Sequence, residues 1–306
     1  MKKGYFIGID IGGTNLRIGL AGPDGRPFGL KKVSSRELLA RRDVAEALED
    51  FIRAYCMEQI PDGQILAIAM GIPGTLSRDG SHVLSCPNIH GFDNRDLGTE
   101  LTRRLQAPVT LAKDVTMLLY HDRQVLHLPE EGIVIGIYYG TGIGNAIMLN
   151  GSVLTGKDGA AGELGHIPMY GRKEICNCGN PGCTENFASG WRLQQLKESL
   201  FPDTPMEELF VRHGESEALE DFVDAMGVTA AAEINLLNPD GIVLGGGILN
   251  MPGFSREKFE RQLHQYVRKP FPDQSLELFY SESGDFNGVD GAILYARQRY
   301  NMQNIT

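Results

Sequence analysis

Two segments of the 306-residue sequence repeat one pattern, in which an apolar strand runs into a turn of Gly, Thr and Asn residues and continues as a second apolar strand. The copies are residues 6–22 (FIGIDIGGTNLRIGLAG) and residues 133–151 (IVIGIYYGTGIGNAIMLNG). This self-similarity indicates a weak internal duplication with a glycine-rich hairpin in each half. We therefore expect two similar α/β domains around a central cleft, because a cleft between such halves is a natural ligand site.

Helical and strand patterns alternate outside the hairpins. Apolar residues recur at helical spacing over residues 44–55, and residues 65–70 form an apolar run that predicts a buried strand. A second helical pattern covers residues 219–234, and a predicted strand follows it at residues 241–244. This alternation is typical of the α/β class.

The duplication also predicts the domain limits. We expect a small N-terminal α/β domain over residues 1–112 and a larger α/β domain over residues 113–286 that contains a cysteine-rich loop. The C-terminal helix, about residues 287–306, is predicted to return to the first domain.

The charge balance argues against nucleic acid as a partner. The chain has 29 basic and 39 acidic residues, a net charge of -10, and no long block of Lys and Arg.

After Lys2 and Lys3, Asp10 interrupts the first apolar run before it reaches the length of a signal peptide or a membrane span. We expect a soluble, cytoplasmic protein with no membrane partner.

The first hairpin has the composition of a phosphate-binding turn. Gly12 and Gly13 let backbone N–H groups approach an anion, and Thr14 adds a hydroxyl group. Asp10 offers a carboxylate to a hydrated magnesium ion. An ordinary tight turn is the alternative, but the second copy, GTGIG at residues 140–144, favours phosphate binding. A Rossmann site fits less well, because its glycines open a helix, whereas both turns here continue as strands.

Three cysteines and a histidine lie close together in one later stretch. His166 ends the motif GELGH, and Cys176, Cys178 and Cys183 follow within CNCGNPGC. Four such donors satisfy a tetrahedral zinc ion, and the Gly and Pro residues between them supply sharp turns. Reactive redox thiols are the alternative, although Cys-x-Cys is not the usual Cys-x-x-Cys redox spacing. We predict a structural zinc site in a reducing compartment.

Asp114 follows an apolar stretch and precedes a helical pattern, which is the position of a helix N-cap residue. A catalytic group is the other interpretation of Asp114. A carboxylate at the end of a strand is well placed to accept the proton of a hydroxyl nucleophile. Further polar residues could complete a site for a polyol such as a sugar, which needs several fixed donors and acceptors. These residues are Asn88, Glu163, His166 and Glu185. Each of them, taken alone, is also typical of a turn or a helix cap.

Together these motifs resemble the ROK family (repressors, open reading frames and kinases) over essentially the whole chain. The matching stretches are GIDIGGTN, Pro87-Asn88, YYGTGIGNAIMLNG, GELGH, CNCGNPGCTE and LGGG. The resemblance implies an actin-like ATPase (ribonuclease H-like) duplicated fold, zinc bound by the His and the three Cys, and phosphorylation of a sugar hydroxyl group by ATP. Because members of the family commonly form dimers, we also expect a homodimer.

The resemblance implies roles for individual residues as well. Asp114 matches the general base of the family. The positions that match sugar-contacting residues are Asn88, Asp114, Glu163, His166 and Glu185. Those that match nucleotide-binding turns are Gly12, Gly13, Thr14, Thr141, Gly142, Gly245 and Gly246.

One position departs from the family pattern. Most kinases of the family have Asn before the catalytic Asp, whereas this chain has Lys113. This departure, together with residues 208–215 and 283–288, makes the chain most similar to members that phosphorylate D-allose at its 6-hydroxyl group. Glucokinase, fructokinase and N-acetylmannosamine kinase activities remain alternatives within the family.

Two functions from other classes are further alternatives. A ROK repressor carries a helix-turn-helix ahead of the first hairpin, and here that hairpin starts at Phe6, so we expect a kinase rather than a sugar-sensing regulator. An actin-like scaffold would bind ATP but would not require Asp114. We therefore expect ATP, Mg²⁺ and a structural Zn²⁺ as cofactors and a sugar as substrate.

Overall fold

The computed structural model describes residues 3–40, 43–87 and 89–305 of the chain. The chain divides into two units. Residues 1–127, 155–161 and 284–306 form the first unit, and residues 128–154 and 162–283 form the second.

The first unit is a mixed sheet with helices. Its elements are β1 (Gly4–Ile11), β2 (Asn15–Ala21), β3 (Pro27–Ser34), α1 (Ser35–Leu39), α2 (Val44–Gln59), β4 (Gln64–Ile72), β5 (Thr75–Leu76), β6 (Val83–Ser85), α3 (Leu97–Leu105), β7 (Val109–Lys113) and α4 (Asp114–Val125). The strand order is β3-β2-β1-β4-β7, and β5 pairs with β6 in a separate hairpin. β1 is antiparallel to β2 and parallel to β4, which is parallel to β7.

The core of the first unit forms where apolar helix and strand faces meet. Ile7 and Ile9 of β1 are fully buried in one cluster with Leu48 and Ile52 of α2. The Asp43 carboxylate accepts the first N–H groups of α2, as an N-cap residue does. The helix predicted over residues 44–55 and the strand predicted over residues 65–70 are thus confirmed as α2 and β4.

The second unit repeats this arrangement. Its elements are β8 (Ile133–Tyr139), β9 (Ile143–Leu149), β10 (Ser152–Val153), α5 (Glu185–Ala188), α6 (Gly190–Leu200), α7 (Leu209–His213), α8 (Glu217–Leu237), β11 (Gly241–Gly245), α9 (Arg256–Tyr266) and β12 (Leu278–Tyr280). Four 3₁₀ turns lie at Leu164–His166, Met206–Glu208, Ile248–Asn250 and Asp273–Ser275. The strand order is β10-β9-β8-β11-β12.

The two sheets share strand order and strand direction, which confirms the internal duplication. In the second unit β8 is antiparallel to β9 and parallel to β11, which is parallel to β12. Both glycine-rich segments are β-hairpins, β1-β2 and β8-β9, as predicted. The predicted helix over residues 219–234 lies within α8, which ends at Asn238 in the left-handed conformation (φ 45°).

The chain returns to the first unit as α10 (Asn287–Ile305), which packs against α4, β1 and β4. This packing is close, because a Cβ on Gly8 would overlap the Val289 carbonyl oxygen and one on Gly291 would overlap the Met117 carbonyl oxygen. The contact between α4 and α10 is also why the first unit continues to residue 127, beyond the predicted limit near residue 112. The domain limits themselves stay a prediction.

No helix in the described part of the chain, α10 included, is long and apolar enough to cross a membrane.

A polar pair lies in the core of the second unit. Asn145 of β9 is 3% exposed and Glu233 of α8 is 4% exposed. The Asn145 Nδ2 atom donates to Glu233 Oε2 at 2.8 Å and to the Gly136 carbonyl oxygen at 3.1 Å. Burial raises the pKa of Glu233 to about 8, against a smaller lowering by the hydrogen bond from Asn145.

We predict that Glu233→Gln gains stability relative to the unsubstituted protein as pH rises. The folded chain keeps the Glu233 proton up to about pH 8, whereas an ordinary carboxyl group has a pKa of 4.5. Unfolding between these pH values therefore releases a proton, so the group lowers the free energy of unfolding by up to about 1.4 kcal/mol per pH unit as pH rises. Gln does not titrate and removes this dependence.

Urea unfolding of both proteins from about pH 5 to about pH 8 checks this expectation. The difference in the free energy of unfolding should change steadily in favour of Glu233→Gln. A difference that does not vary with pH would mean that Glu233 is already ionised in the folded protein.

Candidate active site

Two carboxyl groups lie where the parallel strands of the first unit end. Asp10 of β1 pairs in register with Gly71 of β4, and Asp114 follows β7 directly as the first residue of α4. A Cβ on Gly71 would lie 3.4 Å from the Asp114 Cα atom and 3.7 Å from Asp10 Oδ1. Because Gly71 has no side chain, both aspartates fit at the same edge of the sheet.

Burial dominates the electrostatics of this pair. It raises the pKa of Asp114, and the nearby Lys113 ammonium group only partly offsets that rise. Burial also raises the pKa of Asp10 to about 6, although 21% of its side chain is exposed. The charge of Asp114 adds to the rise at Asp10, and Arg17 opposes it. Both groups therefore bind protons more strongly than exposed carboxylates do.

Arg17 is a residue of this site that the motifs did not reveal. It lies directly opposite Asp10 in the β1-β2 register, and its Nη1 atom is 3.5 Å from Asp10 Oδ2. Its Nη2 atom is 3.4 Å from Asp285 Oδ1. The register of the predicted hairpin was the signal that would have paired Arg17 with Asp10.

The start of α4 bears on the helix-cap interpretation of Asp114. Lys113 occupies the N-cap position, so Asp114 is not the N-cap residue. The Asp114 Oδ1 atom accepts the adjacent Val115 N–H at 2.8 Å. The Lys113 Nζ atom donates to the Ala161 carbonyl oxygen at 3.2 Å.

The turn of the first hairpin is fixed by backbone contacts. The Gly12 N–H donates to the Asn15 carbonyl oxygen at 2.8 Å, and the buried Ser35 hydroxyl donates to the Gly12 carbonyl oxygen at 2.7 Å. Between them lie Gly13, half-buried, and Thr14, whose side chain is exposed. This leaves Thr14 available to a ligand.

The turn of the second hairpin is held by the start of α6. The N–H groups of Gly190 and Trp191 donate to the carbonyl oxygens of Gly140 and Thr141 at 2.8 and 2.9 Å. Thr141 is itself exposed. The start of α6 thus engages two carbonyl groups of this turn.

Glu185 links α5 to the second hairpin. Its Oε2 atom accepts the Ile143 N–H at 2.9 Å. A Cβ on Gly165 would lie 3.2 Å from this carboxylate oxygen, and one on Gly142 would lie 2.5 Å from it. Glycines at both positions therefore give the Glu185 carboxylate its place against the turn.

Gly245 and Gly246 end β11 beside β8. Gly246 has a φ of +98°, and a Cβ there would overlap the Tyr139 carbonyl oxygen. A Cβ on Gly245 would lie 2.7 Å from the Tyr138 ring. Other residues do not fit at this turn without a change in the backbone.

His166 stands between a carboxylate and the cysteine cluster. Its Nε2 atom is 3.8 Å from Glu163 Oε2, and its Nδ1 atom is 3.7 Å from the Cys176 Sγ atom. The Cys178 and Cys183 Sγ atoms are 3.6 Å apart. The donor atoms of His166 and the three cysteines all lie within 4.8 Å of one another.

This donor set fits a tetrahedral metal ion. Donors bound at ~2.0 to 2.3 Å to a tetrahedral zinc lie about 3.5 to 3.8 Å from each other. The closest pairs of the cluster, at 3.6 and 3.7 Å, already have this spacing. Cys176 and Cys183 are buried, which suits a closed structural site.

The predicted site residues fall into two groups in the structure. Asp10, Gly12, Gly13, Thr14 and Asp114 belong to the first unit. The second unit contains Thr141, Gly142, Glu163, His166, Cys176, Cys178, Cys183, Glu185, Gly245 and Gly246. Asn88, a predicted sugar contact, lies outside the described residues.

Comparison with known proteins gives one family and several related enzymes. The ROK family model matches residues 6–299. A glucokinase of Thermotoga maritima is 31% identical over 98% of this chain and 99% of its own length. An N-acetyl-D-glucosamine kinase of Pectobacterium carotovorum subsp. carotovorum is 27% identical over 94% of this chain and 98% of its own length. The solved structure of a ROK hexokinase from Thermus thermophilus, 27% identical, superposes with a TM-score of 0.80 over 97% of this chain and 99% of that chain.

Proposed function

This chain belongs to the ROK family and is a sugar kinase with an actin-like ATPase fold, and we propose that it transfers the γ-phosphoryl group of ATP to the 6-hydroxyl group of a hexose. The observation that carries this proposal is the position of Asp114 after β7, across Gly71 from Asp10. The reaction needs one carboxylate that accepts a proton, the role proposed for Asp114. It also needs a second carboxylate beside a phosphate-binding turn, the role proposed for Asp10.

Asp114 is the proposed general base. Burial raises the pKa of its carboxyl group, and a general base works best when its pKa lies nearer the working pH. It takes the proton of the sugar hydroxyl group as that oxygen bonds to the γ-phosphorus atom, while the bond from that phosphorus to the β–γ bridging oxygen breaks and ADP leaves. Asp10 would hold a hydrated magnesium ion, which supplies positive charge to the phosphate oxygens when it is bound. Arg17, opposite Asp10, keeps that carboxylate in one orientation.

The other site residues bind and orient the two substrates. The proposed sugar contacts besides Asp114 are Asn88, Glu163, His166 and Glu185. The proposed nucleotide contacts are Gly12, Gly13, Thr14, Thr141, Gly142, Gly245 and Gly246. Positioning supplies most of the rate in phosphoryl transfer, so fixed turns such as the one held by Glu185 support this assignment.

We predict that Asp114→Asn lowers kcat by roughly 10²- to 10⁴-fold, the usual effect of removing a general base. The amide keeps the size and the hydrogen bond to Val115 but does not accept the proton. Steady-state kinetics measure kcat, while calorimetric ATP binding and the melting temperature report on the fold. The exposed Asp24 offers a matched control, and Asp24→Asn should retain full activity. Near-normal turnover by Asp114→Asn would exclude it as the base.

We further propose that His166, Cys176, Cys178 and Cys183 hold a structural zinc ion. The close spacing of their donor atoms supports this assignment. Zinc would fix the loop that precedes Glu185 and would leave His166 Nε2, which faces Glu163, available to a sugar hydroxyl group. The expected homodimer and the cytoplasmic location stay predictions.

We expect about one zinc ion per chain, lost in Cys178→Ser and in Cys183→Ser together with thermal stability, because structural zinc contributes directly to the folding free energy. Elemental analysis of protein purified without added metal decides the content. Cys56, on α2 of the first unit, is the control, and Cys56→Ser should keep its zinc. Protein without zinc, or both variants with a full complement, would contradict the ligand assignment.

For the substrate we propose D-allose. The support is Lys113 in place of the usual Asn and the likeness of residues 208–215 and 283–288 to D-allose kinases. Allose and glucose differ only at C3, so the choice depends on hydrogen bonds that one epimer leaves unpaired. Glucose is the alternative. Asn88 and Asp114 are the proposed contacts to the C3 hydroxyl group.

We predict that kcat/KM is higher for allose than for glucose, mannose, N-acetylmannosamine and fructose at equal ATP and magnesium. One unpaired buried group costs about 1 to 3 kcal/mol, so the preference over glucose should be roughly 5- to 150-fold. A coupled assay of ADP release across this panel measures the ratios. A higher kcat/KM for glucose or N-acetylmannosamine would refute the D-allose assignment and leave the sugar-kinase assignment intact.

A further inference from the structure

The side-chain amide of Asn145 is oriented by its two donor contacts. Both Nδ2 hydrogens are engaged, one by Glu233 Oε2 and the other by the Gly136 carbonyl oxygen. The remaining polar atom, Oδ1, is buried and has no hydrogen-bond partner among the described residues. It is directed at Gly162, where a Cβ would lie 2.7 Å from it.

Gly162 is a turn residue that precedes the proposed sugar contacts Glu163 and His166 in the chain. Its φ of +75° is in the left-handed region, which glycine adopts without strain. The next residue is Glu163, and the 3₁₀ turn Leu164–His166 follows at once. The Asn145 amide thus occupies the space that a side chain at Gly162 would need, directly before Glu163 in the chain.

Glu233 is suited to hold this amide. It lies on α8, in the core beneath β9, and accepts the Asn145 hydrogen bond as a buried carboxyl group. A polar pair in an apolar core costs folding free energy, and apolar residues of the same size would fill the space at lower cost.

We propose that Asn145, held by Glu233, is a positioning residue for sugar binding, because its side-chain amide packs against the turn at Gly162 that carries Glu163 and His166. The proposal rests on the proposed function, which assigns these two residues to the sugar. It concerns the second unit alone, since all five residues belong to it.

The test compares variants of the full-length zinc-loaded protein in two measurements. Calorimetry with the best hexose of the panel, without ATP, gives the sugar Kd, and steady-state kinetics give KM for sugar and for ATP. Asn145→Leu, similar in size but without an amide, should raise the sugar Kd and KM about 5- to 10-fold, with the KM for ATP unchanged within about two-fold. Glu233→Gln keeps an uncharged acceptor and should bind sugar normally.

Thr229→Val is the matched control. Thr229 is also fully buried on α8, and its hydroxyl donates to the Ala225 carbonyl oxygen at 2.7 Å. Its loss removes a buried polar group from the same helix, so the melting temperature should fall while the sugar Kd stays unchanged. Asn145→Ser, a milder change whose short side chain does not reach Gly162, provides the same comparison if Asn145→Leu does not fold.

The outcomes separate this inference from the proposed function. A weaker sugar Kd in the Asn145 variants, at unchanged ATP KM and zinc content, supports it. Equal weakening by Thr229→Val at a similar loss of melting temperature overturns it, as does an unchanged sugar Kd in both Asn145 variants. If the unsubstituted protein binds no hexose, the proposed function fails and this inference falls with it.

Discussion

The placement of two partly buried aspartates on either side of a glycine is the constraint on which the first unit depends. Three parallel strands, β1, β4 and β7, bring Asp10, Gly71 and Asp114 to one edge of the sheet. A side chain on Gly71 would press on Met117 and on the Asp114 backbone. Packing at this edge removes water from both aspartates, and this burial raises the pKa values of their carboxyl groups.

The second unit has a sheet with the same strand order, but different contacts fix its hairpin turn. Its hairpin turn is fixed from α5 and α6, where Glu185 accepts the Ile143 N–H and the start of α6 donates to two turn carbonyls. Glu185 comes two residues after Cys183, so the cysteine loop and the hairpin are joined through one short helix. An ion in that loop would therefore restrain the turn of the second hairpin through α5, which agrees with a structural rather than a catalytic role.

Local sequence patterns predicted much of this fold. The hairpins, α2, β4 and α8 follow from spacing within one segment, and the four side chains that the sequence predicts as zinc ligands lie close together. The Asn145–Glu233 pair was missed because its members are far apart in sequence and meet only when α8 packs on β9. Tertiary packing, which no local pattern encodes, accounts for this pair. Arg17 was missed for a different reason, because the motif covers only the turn residues and not the β1-β2 register that places Arg17 opposite Asp10.

The direct test of the proposed kinase reaction is the fate of the γ-phosphoryl group, followed by ³¹P NMR of the protein with ATP and magnesium, with and without a hexose. ADP and a sugar phosphate ester should form in equal amounts, and only when a hexose is present. ATP hydrolysis to inorganic phosphate without a hexose, or no ATP consumption with any hexose of the panel, would contradict it.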